Sequence, residues 1–426
     1  MIDPKYIAER IKRSLQLRTR SAKRLLSGSC KRFYRTADLH RISILQSGPA
    51  SDNRADFLRA EDDAVWHACP KTTVVTKRFK FVTASEGARN KPALEASLSE
   101  TCFEAPALTF ARLHDCVADP TSIRLVTRNG ALISETATVH DILDPHYKDA
   151  GHLIDREGAV RQLQKAHKYV DEDVIFAFNA FCPSFGHYVL TSLPIISSFL
   201  EDIKSGSLKV VVPQHLPLWM ISFLYELGLN EPDLLYLPNV PHRFRTAIAS
   251  NILDASNTRA PNPNSVWRPT FTQGAPIETA SMRRILVRRS DSGNVSSRTI
   301  CNEAEMLRAV ESKGFQIIEP ARMRLREQID AFQHADVIVS PHGSTFANLV
   351  FCRPGTRVLD LMPDSWVGIR GDALRDVWAS RMCAVSNLDY SVLLCPSKVQ
   401  TVHFTGNAAL ASRVSIPDLV DCIDRL

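Results

Sequence analysis

Residues Val337–Phe351 read VIVSPHGSTFANLVF, and this stretch decides the fold. Val337, Ile338 and Val339 are β-branched and bounded by breakers, the composition of a short strand buried on both faces. Pro341 and Gly343 stop that strand. Small and apolar residues follow at once, which predicts a helix through Phe346, Ala347, Leu349 and Val350, with Ser344 or Thr345 accepting a hydrogen bond as its N-cap. Strand, tight turn and helix in immediate succession are the unit of an α/β protein. A helix that begins at the carboxyl end of a parallel strand aims unpaired N–H groups at the crevice where such folds hold anions. The stretch therefore raises the question of a phosphate ligand.

Working outward, the same rhythm continues on both sides. RILVRR (Arg284–Arg289) reads as a strand, Asn302–Lys313 as a helix capped by Asn302, FQIIEP (Phe315–Pro320) as a strand and Leu325–His334 as a helix. TRVLDLMP (Thr356–Pro363) reads as a further strand. Earlier in the chain the alternation runs through DVIFAF (Asp173–Phe178), a helix from about His187, LKVVVP (Leu208–Pro213), a helix around Trp219–Leu227 and DLLYLP (Asp233–Pro238). A polar segment rich in Pro and Asn, residues 258–269, interrupts this rhythm and marks a linker. The expected organisation is a basic segment over residues 1–35, an N-terminal region with an acceptor-side α/β domain over 36–257, the linker, and a second α/β domain over 270–426. Within the N-terminal region, Thr73–Val82 is expected to be a strand. Alternating apolar residues around Asn129-Gly130 predict a hairpin with a type I′ turn.

Composition narrows the classes. A chain of 426 residues with 44% hydrophobic side chains can bury substantial cores. No run reaches the roughly 18 consecutive apolar residues of a membrane span, and charges continue where a signal peptide would have its apolar core. A cytoplasmic location is the expectation. The ten cysteines include no C-x-x-C pair, which suits reduced thiols better than a disulfide framework or zinc site. Residues 1–35 carry eleven Lys or Arg against Asp3 and Glu9, a net of +9, and so leave about −3 for the rest of a chain whose total is +6. A near-neutral body argues against a nucleic-acid enzyme. Ile7, Ile11, Leu15, Ala22, Leu25 and Leu26 recur at broadly helical spacing among these cations. That pattern suits the surface of an anionic membrane, and equally a solvated helix or tail.

The chain has no Walker A loop, G-x-S-x-G elbow, H-E-x-x-H or G-x-G-x-x-G motif. Cations and helix ends are then left to neutralise phosphate, with Arg288 and Arg289 at a strand end and Arg298 after a Gly/Ser/Asn loop. From about Arg284 to Pro363 the chain resembles glycosyltransferase family 61. Arg289, Arg298, Asn302-Glu303, Gly314-Phe315, Glu327-Gln328, His342-Gly343 and Asn348-Leu349-Val350-Phe351 follow the family's pattern in order and at compatible spacing. An upstream element is met by GHYVLTSLP, with His187 and Tyr188; the family's acidic position is Thr191 here, and an Arg common after Leu-Pro is Ile195.

The resemblance implies a GT-B-like fold, in which two Rossmann-like domains face a cleft, together with a nucleotide-sugar donor, a glycan or lipid-linked glycan acceptor, and transfer with inversion without a metal or other cofactor. It implies that Arg289, Arg298, Asn302, Glu303, Glu327, His342, Gly343, Ser344, Thr345 and Asn348 serve the donor, with the diphosphate at the His-Gly-Ser-Thr turn. Inversion needs a base on the acceptor hydroxyl, and His187 is the candidate because Thr191 cannot serve. The absent carboxylate leaves either a different base or a chain that kept the fold and lost turnover, as a binding or scaffold protein. A Ser344-based hydrolase is a weaker alternative, since no nucleophile elbow surrounds that serine. Synthesis of a capsular or other surface polysaccharide at the inner face of a membrane is the expected setting.

Overall fold

The computed structural model describes residues 41–42, 50–51, 53–77, 79–118, 125–128, 132–136, 168–179, 182, 184–213, 216–238, 240–253, 262–263, 283–289, 299–368, 373–401 and 408–426. The basic segment 1–35, the Asn129-Gly130 turn, Arg298 and all of 258–269 except Asn262 and Pro263 lie outside these residues. Among the described residues no helix is long and apolar enough to cross a membrane.

Two sheets organise an α/β fold. The second sheet is entirely parallel, with six strands in the order Gln316–Ile318, Arg284–Val287, Val337–Pro341, Arg357–Pro363, Asp389–Cys395 and Val82–Ala84. The strand Val337–Pro341 is buried at every position. Ile338 packs into one core cluster while Val337 and Val339 pack into another on the opposite face, as its wholly apolar sequence requires. The chain leaves Arg284–Val287 for one neighbour, Gln316–Ile318, and returns to the other side at Val337–Pro341. The order therefore reverses between the Arg284 and Val337 strands, and the crevice beyond their carboxyl ends is the natural ligand position.

The first sheet has seven strands, in the order Leu234–Leu237, Lys209–Pro213, Lys168–Ile175, His242–Ser250, Leu108–Ala118, Ala64–Cys69 and Ala50–Ser51. The first four are mutually parallel, and their order also reverses, between Lys168–Ile175 and His242–Ser250. Leu108–Ala118 then pairs antiparallel to His242–Ser250 and to Ala64–Cys69. The Lys168 strand starts five residues before the expected Asp173, because Arg245 neutralises its polar stretch through Asp171 at 3.2 Å and Asp173 at 2.9 Å.

Three local expectations are corrected. Thr73–Val82 is two strands: Thr72–Val75 pairs with Cys102–Ala105, whereas Val82–Ala84 crosses to the edge of the second sheet. Between them Lys77 and Lys80 both reach Asp389, and the Lys80 amide donates to the Tyr390 carbonyl, which turns the chain out of the first pairing. Asn302 precedes the helix Glu303–Ser312, but its side chain does not cap it. Its amide is taken by Glu305 and by both backbone groups of Val414. Ser344–Phe351 is a tight 3-10 helix preceded by an extended Gly343, and no side chain caps it, so neither Ser344 nor Thr345 is its N-cap. Burial of Phe346 through Phe351 holds this helix in place of a cap.

One core cluster runs through both sheets, from Phe57 and Phe110 to Ile338 and Leu394. Polar ties join them as well. Glu226, at the end of the helix Leu218–Glu226, accepts from the Leu325 and Arg326 amides at 3.2 and 2.9 Å, and so caps the helix Leu325–His334 of the second sheet. Asn262, one of the two described residues of the expected linker, donates to the Pro70 and Pro106 carbonyls.

Candidate active site

The two order reversals meet. Beyond the Lys168–Ile175 strand the chain reaches a short helix, Phe185–His187, and that helix packs on Ser344–Phe351. Gly186 lies directly against Ser344: a Cβ on that glycine would stand 3.4 Å from the Ser344 Cβ. His187, half-buried, is thus carried to the His342-Gly343-Ser344 turn although 155 residues separate it from His342 in sequence.

From His187 the helix passes through one π turn, Tyr188–Ser192, into Leu193–Ser198. Pro194 accounts for the widening. It lacks an N–H and its ring crowds the carbonyl four residues back, so the preceding turn opens and the Leu193 amide donates to Tyr188 instead. Tyr188 is fully buried, and burial pushes its phenol well above the ordinary value. Thr191 and Ile195 are both fully buried on this segment.

Arg288 and Arg289 end the neighbouring strand. In the pairing of the two strands Leu286 lies opposite Val339, so Arg289 and His342, each three residues further on, leave the sheet at the same level. Arg288 is neutralised: it donates to Glu319 at 2.9 Å and Glu303 at 3.1 Å, and the Glu303 bond raises its pKa further. Arg289 has no ion pair among the described residues, and its buried Nη1 has no hydrogen-bond partner there. Burial without a compensating carboxylate lowers its pKa. An arginine held in this condition is ready to receive an anion.

His342 is nearly closed off, with its side chain 5% exposed. Its amide donates to the Leu361 carbonyl, and its Nδ1 lies 2.8 Å from Oδ2 of Asp360. The same Oδ2 accepts from the Tyr390 hydroxyl at 2.8 Å. The ring packs between Phe346 and Trp366, with centroids at 6.0 and 5.8 Å. Asp360 and Tyr390 were missed in the sequence. The available signal was an acid flanked by apolar residues on both sides, in Val358-Leu359-Asp360-Leu361-Met362.

The other expected donor residues have internal duties. Glu303 holds Arg288. Glu327 reaches back to the start of its helix, accepting from the Arg324 amide and guanidinium, which hold the Glu327 carboxyl below its ordinary range. Asn348 is fully buried and donates to Gln328, whose own amide is fixed by the Pro320 and Met323 carbonyls. These groups hold the helices around the turn. Among the described residues no three His, Cys, Asp or Glu side chains gather in a metal-binding group.

An anion-ready arginine and a histidine-bearing turn stand at one sheet reversal, met by a second histidine on the helix that follows a strand of the other sheet. Residues 185–359 match the family model described as Glycosyltransferase 61, and the match supports assignment of this stretch to that family and a glycosyltransferase activity. The match starts at the helix of His187 and ends one residue before Asp360, so it covers His187, Arg289 and His342 but not Asp360, Trp366 or Tyr390. No curated protein matches the chain significantly.

Proposed function

We propose that the protein is an inverting, metal-independent glycosyltransferase with a GT-B-like arrangement. It takes a sugar from a nucleotide-sugar donor to a glycan or lipid-linked glycan in surface or capsular polysaccharide synthesis. The observation that carries this reading is the meeting of Gly186-His187 with Ser344 beside an uncompensated Arg289. The donor diphosphate lies across the His342-Gly343-Ser344-Thr345 turn, neutralised by Arg289 and joined by Arg298. As the bond from the sugar to the phosphate breaks, its electron pair stays on the phosphate oxygen, and Arg289 and the turn meet the growing charge. His187, on the facing element, takes the acceptor proton on the opposite side of the sugar. The basic segment 1–35 holds the enzyme at an anionic membrane surface on the cytoplasmic side.

The second reading, a scaffold without turnover, rests on Thr191. In the family pattern the acid at 191 and the Arg at 195 stand one helical turn apart, the spacing of an ion pair. Here the two positions are Thr and Ile, and both are buried. Exchange of a buried ion pair for uncharged residues is commonly neutral or stabilising. The departure therefore reads as an internal substitution and supports retained turnover.

A thermal-shift screen of nucleotide sugars and free nucleoside diphosphates, followed by transfer assays with and without chelator, tests the proposal. Stabilisation by at least one nucleotide and chelator-resistant transfer are expected. Binding of none removes the donor site, binding without transfer or hydrolysis favours the scaffold, and activity lost to chelator and restored by magnesium overturns metal independence.

A further inference from the structure

We infer that Asp360 is a positioning residue for the reaction: it fixes His342 so that Nε2–H is presented to the donor's diphosphate. The inference rests on the donor-site reading above and adds to it the group that makes His342 effective. Asp360 is fully buried between Leu359 and Leu361, in the interior of a parallel sheet where an apolar residue is the ordinary choice. Its Oδ2 receives two hydrogen bonds, from His342 Nδ1 and from Tyr390, while Oδ1 is buried without a partner among the described residues. Tyr390, on the adjacent strand, donates its hydroxyl to that carboxylate.

An ionised carboxylate only accepts, so the proton of this bond belongs to Nδ1 of His342. The ring is wedged by Phe346 and Trp366 and its Nδ1 is committed, which leaves Nε2 as the nitrogen that can meet a ligand. When Nε2 also carries a proton, Asp360 compensates the imidazolium charge that would otherwise be stranded inside the protein. A diphosphate oxygen then accepts from Nε2–H. The bond strengthens as the electron pair of the breaking glycosidic bond arrives on that phosphate, and no proton need leave His342. Tyr390 and Asp360 together thus set the geometry of a donor they do not touch.

The test compares wild type, His342→Gln, Asp360→Asn and the double variant. Affinity for uridine and guanosine diphosphates is measured by calorimetry, kcat and KM with the donor used by the wild type, and folding by thermal denaturation. Asp360→Asn is expected to lower kcat/KM by about ten- to a hundredfold, with the larger part in kcat, and to add nothing in the His342→Gln background. Losses that multiply in the double variant, or a folded Asp360→Asn within about twofold of wild type, overturn the inference while leaving the donor site intact. A wild type that binds neither diphosphate and transfers nothing removes the donor reading itself, and the inference with it. If Asp360→Asn does not fold, nitrogen-15 spectra of histidine-labelled wild type decide, with the His342 signal assigned by its loss in His342→Gln. Nδ1 must be protonated with and without diphosphate, and Nε2 must respond to its addition; a bare Nδ1 or an indifferent Nε2 overturns the proposal.

Discussion

Arg288 and Arg289, adjacent at the end of one strand, have opposite electrostatic surroundings. Glu303 and Glu319 neutralise the first, and the second stands uncompensated at the level of His342. Arg289→Ala should therefore leave folding nearly unchanged and weaken diphosphate binding by roughly ten- to over a hundredfold, the 1.5–3 kcal/mol of a charge-assisted bond. Arg288→Ala should do the reverse, lowering stability by about 1 kcal/mol with only a minor effect on affinity, because it leaves two carboxylates facing one another. Calorimetry and denaturant unfolding on the two variants check the contrast; equal diphosphate affinity in folded Arg289→Ala and wild type would move the anion elsewhere. The sequence drew attention to Arg289, His187 and His342 through their order and spacing. It could not show that Glu303 belongs to Arg288, nor that Asp360 and Tyr390, 18 and 30 residues from their bonding partners, complete the histidine site. Those assignments depend on which strands lie side by side.

At the scale of elements, the regular helices and the parallel strands were legible because apolar periodicity and burial agree, as in Leu325–His334 and Val337–Pro341. The exceptions have local causes: Pro194 opens a π turn, paired lysines on Asp389 divide the strand expected over Thr73–Val82, and packing replaces the missing cap of Ser344–Phe351. Thr191, inside the π turn, has a buried hydroxyl with no partner among the described residues. Thr191→Val should therefore be neutral or stabilising by up to about 1 kcal/mol, with turnover retained. Thr191→Asp alone should destabilise by about 3 kcal/mol or more, and Ile195→Arg should recover part of that loss if the two positions can form a pair. Thermal unfolding and kcat for the three variants check this; loss of turnover in Thr191→Val at full stability would give the hydroxyl a role in the reaction. In the next half of the chain, Glu327→Ala should lower stability by about 1 kcal/mol through loss of the bonds it accepts from the Arg324 amide and guanidinium. Arg324 holds the Glu327 carboxyl below its ordinary value of 4.5, so this contribution is complete above that pH and fades as pH falls through the lower folded value. Unfolding of wild type and variant across acid pH should converge; a gap constant to the lowest pH would assign the effect to packing instead.

At the scale of the whole molecule, the α/β class follows from the repeated strand–helix rhythm, while the sheet order does not. Val82–Ala84 pairs with Val392–Leu394, some 310 residues away, and three short residues carry no record of so distant a partner. Charge, by contrast, is a property of the whole chain that the sequence does define. Residues 1–35 hold +9 and the remainder about −3 at a total of +6. Each Lys or Arg near an anionic bilayer contributes about 1 kcal/mol, while scattered Ile and Leu add only modest burial. Attachment of this origin is reversible, and it weakens as salt shortens the Debye length to about 8 Å at physiological ionic strength. The slightly acidic body is repelled by the same surface. Deleting residues 1–35 should therefore abolish sedimentation with anionic vesicles and leave neutral-vesicle behaviour and transfer to a soluble acceptor analogue unchanged, since the described site draws on none of those residues. Retained anionic-vesicle binding with the same salt dependence would transfer the membrane contact to residues beyond 35. Loss of transfer together with binding would mean that the segment also serves the catalytic body.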